Sequence, residues 1–148
     1  MPDTDIRPLA REDEPVWRAL WTLYLDFYET SVDETVYRST WERLLSTDPL
    51  EPCCLVAQRG DRVVGLVHYL YHRHCWKIDN VCYLQDLYVD ASQRGSGAGR
   101  ALIEAVYAAA DAAGCPTVYW TTQHFNAAGR ALYDRVGVQT PFIKYSRS

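Results

Sequence analysis

The sequence predicts a mixed α/β fold of the α+β kind: a mostly antiparallel sheet with helices on both faces. Three observations carry this. Apolar runs at 53–59 and 62–71 flank Gly60-Asp61, the pattern of an antiparallel hairpin. A strand-like run at 80–90, a helical stretch at 98–113 and a β-branched, aromatic run at 117–122 then form a βαβ crossover, which sets two strands parallel. The full order, β, α, α, β, β, β, α, β, α, β, fits one domain of residues 1–148 without repeat or linker.

The elements follow in turn. Residues 4–9 read as a short first strand. Val16, Leu20, Leu23, Tyr24 and Phe27 recur at near-helical spacing and predict a helix over 13–28. A second helix is expected from Glu34 to Ser46, before Asp48-Pro49 and Glu51-Pro52 punctuate the chain. The hairpin 53–71 and the strand 80–90 come next. In the helix 98–113, Leu102, Ile103, Val106, Tyr107 and Ala110 share one face, and Gly114 supplies the stop. The segment TVYWTT (117–122) is read as a buried strand. Asn126 caps a short helix that Gly137 terminates, and 138–145 is expected as a last strand, with Pro141 placing it at an edge or a bulge.

Composition narrows the function. Hydrophobic residues make up 48% and charged residues 23%, the balance of a soluble globular chain, and no apolar run approaches the ~20 residues of a bilayer span. A net charge of −4 speaks against direct nucleic-acid binding and is compatible with a cationic partner. The N-terminal stretch MPDTDIRPLAREDE lacks the apolar core of a signal peptide, so the expected compartment is the cytoplasm. Five irregularly spaced cysteines argue against a disulfide framework. His72, His74 and Cys75 lack a second ligand pair, so they are read as a polar loop and no metal is expected.

The most informative segment is VDASQRGSGAGRAL, 89–102. A strand runs into Gly95, Gly97 and Gly99, and a helix starts at once. Without side chains the backbone N–H groups can approach phosphate oxygens, and the helix N-terminus adds free donors and a positive dipole end. Arg94 and Arg100 flank the turn and can pair with phosphate charge. The phosphate-loop pattern GxxxxGK[ST] is absent, and Arg100 occupies the sixth place of a GxGxxG dinucleotide pattern. A merely tight strand-to-helix turn needs fewer glycines than these three.

In Arg94-Gly95-Ser96-Gly97-Ala98-Gly99 the sequence resembles the Q/R-x-x-G-x-G/A signature of the GNAT acetyltransferase superfamily, most closely in look its histone/polyamine branch. The resemblance covers most of 80–145. It implies the GNAT sheet with a splayed central strand pair, and acetyl-CoA as co-substrate. By it, Arg94, Gly95, Ser96, Gly97, Ala98, Gly99 and Arg100 hold the pyrophosphate. Leu87, Tyr88 and Val89 line the pantetheine, with a backbone N–H acting on the thioester carbonyl as a small oxyanion hole. It also implies a homodimer joined through the C-terminal strand.

The spacing of Asn126, Gly129 and Tyr133 puts all three on one helix face. Gly129 costs that helix roughly 1 kcal/mol relative to Ala, and close approach of a ligand would explain it. A phenol at Tyr133 can protonate a departing thiolate, the role the resemblance gives it; packing is the plain alternative. Arg135 (and Arg130) is either near the nucleotide or on a solvated face. Many relatives carry Glu where this chain has Gln85, which cannot act as a base. Asp86 is adjacent but points to the opposite face of a regular strand. It is therefore a base acting through water or a structural partner, and solvent is the third source of a base. For the acceptor, YLDFYETSVDET (24–35) offers Asp26, Tyr28 and Glu29, carboxylates beside aromatic rings that suit a cationic amine. The expected activity is transfer of acetyl to a primary amine of a polyamine, a lysine side chain in a basic peptide tail, or an amino-acid-like molecule. A non-catalytic acyl-CoA sensor is the alternative.

Overall fold

The computed structural model describes residues 3–148; the first two residues of the expected domain and of its N-terminal stretch lie outside the described residues. Five strands stand in the order β1 (Thr4–Pro8), β2 (Cys53–Arg59), β3 (Arg62–His72), β4 (Val81–Val89) and β5 (Val118–Tyr119). The first three pairings are antiparallel and β4–β5 is parallel. The helices are α1 (Glu14–Phe27), α2 (Glu34–Leu44), α3 (Ala98–Ala112) and α4 (Ala127–Val136).

Each face of the sheet buries its own core. On one face Trp17, Leu20, Trp21 and Leu25 of α1 and Leu44 of α2 pack on Cys54, Val56 and Leu66. On the other, Leu102, Ile103, Val106 and Ala110 of α3 cover Ala57, Val64, Val67, Cys82 and Leu84, with Leu132 and Tyr133 of α4 at the margin. Trp17 is fully buried, so truncating it to Ala would cost about 3–5 kcal/mol.

Two bulges set the side chains of the central strands. In the β2–β3 ladder Ala57 pairs with Gly65 and Gln58 with Val63, leaving Val64 as the extra residue. That is why Val64 and Val67 share one core while Val63 and Leu66 share the other. In the β3–β4 ladder His68 pairs with Asp86 and Tyr69 with Leu84, leaving Gln85 as the extra residue. Beyond it, Leu87 packs on the α3 side and Tyr88 on the α1 side.

Two expectations for the chain's second half change. The strand expected at 117–122 pairs only at Val118 and Tyr119, with Cys82 and Tyr83. Trp120 then turns into the α3–α4 layer, 5.6 Å from the Tyr133 ring and 6.3 Å from that of Tyr107. Past Tyr83, β4 therefore has no strand on its β5 side among the described residues, and the central pair is splayed. The strand expected at 138–145 does not form; the segment lies exposed after α4. The short β5 gives it no ladder to join, and Pro141 brings no N–H.

Candidate active site

The glycine turn is built as its chemistry requires. Asp90 accepts from the Ser92 N–H at 3.0 Å and opens a short 3-10 turn over Ala91–Gln93. Gly95 and Gly97 then take left-handed backbone with φ of 82° and 91°, and a Cβ at either would meet nothing within 4 Å. Open space beside left-handed glycines leaves the N–H groups approachable. The first backbone bond of α3 runs from Ala101 N–H to the Gly97 carbonyl, so the N–H groups before it have no helical acceptor. Ala98 is buried and anchors the turn on the core; Ser96 and Arg100 are exposed. The cradle thus fits a phosphate-bearing ligand. The arginines are partly engaged: Arg94 Nε donates to the Val89 carbonyl at 3.2 Å with its guanidinium over the Tyr88 ring, and Arg100 pairs with Glu104 at 2.7 Å.

On α4, Asn126 caps the helix by accepting from the Gly129 N–H at 3.2 Å. A Cβ on Gly129 would stand 2.5 Å from Asn126 Nδ2. The capping side chain alone thus leaves no room for a Cβ at this position. Arg130 is tied to the His124 carbonyl and Gln139, whereas Arg135 is exposed in the last helical turn, where the dipole favours a cation. Tyr133 is half-buried, and burial first, then the nearby Tyr28, pushes its phenol up to about 12.

At the start of the splay lies a polar cluster set in the α1 core. Asp86 Oδ2 is 2.8 Å from His68 Nδ1 and accepts from Trp21 Nε1 at 3.3 Å. His68 Nε2 receives the Trp17 Nε1 proton at 3.0 Å. Tyr24 joins the cluster: burial and the Asp86 carboxylate raise its phenol, and Tyr28 and Tyr83 add smaller contributions in the same direction. Tyr83 stacks on Tyr119 at 4.9 Å, and Tyr119 contacts His72 at 2.8 Å.

The sequence-predicted residues therefore divide. Tyr24 lies beside both Asp86 and Tyr28, and Tyr28 in turn lies near Tyr133. Asp26 and Glu29 stand exposed at the end of α1, Glu29 with a left-handed φ of 57° in the helix stop. Gln85 is the exposed bulge residue, which leaves Asp86 directly opposite His68 on the α1 side. His68, Trp17 and Tyr83 were missed. A polar residue inside the apolar run of β3 was the available signal for His68; nothing in the order of residues pairs it with Trp17. Among the described residues no group of three His, Cys, Asp or Glu is placed to hold a metal.

Comparison with known proteins places this geometry. Residues 17–138 match the Acetyltransferase (GNAT) family. The D-amino-acid N-acetyltransferase HPA3 of Saccharomyces cerevisiae is 35% identical over 147 residues, covering 97% of this chain and 89% of that protein. The thialysine N-epsilon-acetyltransferase of Bos taurus is 33% identical over 94 residues, 58% of this chain and 55% of that one. In fold, the chain superposes on the aminoglycoside N-acetyltransferase AAC(6')-Iy in complex with CoA, with a TM-score of 0.85 at 19% identity, covering 100% of this chain and 96% of that one. The ribosomal-protein-alanine N-acetyltransferase of Brucella melitensis gives 0.80 at 18% identity, with 99% of each chain covered. With the glycine turn before α3 and the splayed central strands already described, the family match and the curated relative over nearly the whole chain show that this chain belongs to the GNAT acetyltransferase family and is an N-acetyltransferase.

Proposed function

We propose that this enzyme moves acetyl from acetyl-CoA to the primary amine of a small amino-acid-like or polyamine acceptor by direct attack. The observation that carries the reading is the Asp86 carboxylate, ringed by Trp21, Tyr24 and His68, with Tyr28 near both Tyr24 and the Tyr133 phenol. The 94–100 turn holds the pyrophosphate through backbone N–H groups, with Arg94 and Arg100 adding charge. Leu87, Tyr88 and Val89 line the pantetheine where β4 has no β5 partner, and Asn126, Gly129 and Arg135 border it from α4.

The acceptor enters past Asp26, Tyr28, Glu29 and Gln85. Its ammonium is mostly protonated near neutrality, since the reference value for an alkyl amine is ~10.4. Asp86 takes one proton. The freed nitrogen attacks the thioester carbon, the carbon–sulfur bond breaks, and Tyr133 gives its proton to the sulfur; the nitrogen's second proton leaves through water as the amide forms and restores the phenol. A phenol held protonated up to about 12 suits that donation. The names of the two curated relatives favour an amino acid as acceptor. The reading extends to one catalytic domain working in the cytoplasm, where all five cysteines stay free thiols, and to a homodimer joined through the 138–145 segment.

Thiol release from acetyl-CoA against D-amino acids, thialysine, spermidine and a lysine peptide tests the proposal. Release is expected with at least one amino acid. Tyr133→Phe is expected to lower kcat roughly 100-fold or more while acetyl-CoA affinity stays within about twofold. Equal turnover by Tyr133→Phe would take the proton donation away from Tyr133.

A further inference from the structure

Asp86 is useful to an amine only if it is held as an acceptor and aimed, and the groups holding it are buried. His68 is 3% exposed inside an apolar strand, a costly place for an imidazole unless its nitrogens are paired. Both are. Indole N–H is only a donor, so the Trp17 bond fixes His68 Nε2 as the acceptor. The ring proton then sits on Nδ1 and is donated to Asp86 Oδ2 at 2.8 Å. The direction of the whole chain, Trp17 to His68 to Asp86, follows from the one group that cannot reverse.

We infer that His68 is a positioning residue for amine deprotonation: locked by Trp17 as the Nδ1–H form, it holds Asp86 as the terminal proton acceptor facing the amine. This rests on the reading that Asp86 meets the acceptor. The geometry departs from a carboxylate–histidine pair in which the ring moves the proton. A proton arriving at Nε2 would set two N–H groups against each other and break the Trp17 bond. The proton taken from the ammonium therefore stays on Asp86, whose side chain is 13% exposed, and leaves to water. The bulge at Gln85 makes this possible, because it sets Asp86 across from His68 in the ladder. Both bonds from His68 and Trp21 land on Oδ2, and the Tyr24 phenol is a further hydrogen-bond partner of the same carboxylate. The other titratable groups facing Asp86 are Tyr24 on α1 and Cys54 on β2, with Tyr28 just past α1 and Tyr83 on β4 next to Tyr24; burial raises the Cys54 thiol.

Two measurements test this. Nitrogen-15 spectra of histidine-labelled enzyme at pH 8, without acceptor, report the tautomer directly. His68 is expected to carry its proton on Nδ1, and Trp17→Phe to mix the two tautomers. A proton on Nε2 in the wild type overturns the inference whatever the acceptor proves to be. The second is the pH profile of kcat/KM for thialysine. Losing a donor to a carboxylate disfavours its charged form, so in His68→Leu the acid limb is expected to move to higher pH. The amine kcat/KM is expected to fall roughly ten- to a hundredfold, with acetyl-CoA KM unchanged. His68→Asn, whose amide nitrogen can replace Nδ1, is expected to restore most of the limb. An unmoved limb in a folded His68→Leu enzyme overturns the inference; if that variant does not fold, a Trp17→Phe enzyme whose His68 keeps its proton wholly on Nδ1 does so. Asp86→Asn separates the two readings. Full activity there removes Asp86 as the base, whereas lost activity with an unmoved His68→Leu profile removes only the role of His68.

Discussion

Burial is the larger influence on the Tyr133 phenol and Tyr28 the smaller, and both raise it, to about 12. A raised phenol keeps its proton to higher pH. Its capacity to donate is therefore intact below the ordinary value near 10 and is lost only as pH rises through about 12. With both substrates saturating, kcat is expected to show no loss with a midpoint near 10; such a midpoint, absent from Tyr133→Phe, would mean the phenol titrates as if exposed. At this scale the sequence was partly legible. The helix α4 and its Asn126 cap were legible because helical periodicity is regular enough to count along. The contact of Asn126 with Gly129 was not legible, since which atom fills the space beside a glycine depends on a side-chain rotamer. Asp86 was undecided because strand alternation fails at a bulge, and the sequence carries no mark of the extra residue at Gln85. His68 was invisible because its partner Trp17 lies 51 residues away.

Helices and tight turns were legible because their signals are local: the Asn126 cap, the glycines of the turn and the apolar stripe of α3 all fall where they were expected. Strand ends were not. TVYWTT has the composition of a full strand, yet Trp120 is worth more packed on Tyr107 and Tyr133 than paired in a ladder, and β5 stops at Tyr119. The turn before α3 carries the prediction that belongs to this scale. Gly97→Ala meets no steric neighbour, so its cost is the left-handed backbone alone, about 1–2 kcal/mol. Denaturant unfolding of the unliganded protein is expected to show that loss. Calorimetry is expected to show a fall in coenzyme A affinity of at least tenfold, because the new methyl stands where phosphate oxygens approach backbone N–H groups. A variant of normal affinity would move the cradle elsewhere.

Across the whole molecule the sheet separates two cores, and the segment after α4 joins neither. Val138, Phe142, Ile143 and Tyr145 are 92%, 79%, 76% and 88% exposed, in a stretch that reads as a strand. An extended apolar segment without a ladder is a ready partner for a second copy of the chain. Light scattering at tens of micromolar is expected to give a dimer, and the double change Phe142→Asp with Ile143→Asp to give a folded monomer. A wild-type monomer would end the dimer proposal. No described helix is long and apolar enough to cross a membrane.

The two residue pairs that join β5 to β4 have a consequence for heat and time. So short a seam leaves β5 and α4 as the part of the molecule that opens most cheaply, ahead of the long β2–β3–β4 ladders. A ligand lying in the gap acts as a fastener across it. Coenzyme A is then expected to raise the melting temperature, by the equivalent of about 2.7 kcal/mol at a hundredfold excess over its Kd. Amide exchange is expected to slow most in 118–136 and least in β2 and β3. Uniform slowing would mean that the seam holds as firmly as the rest of the sheet.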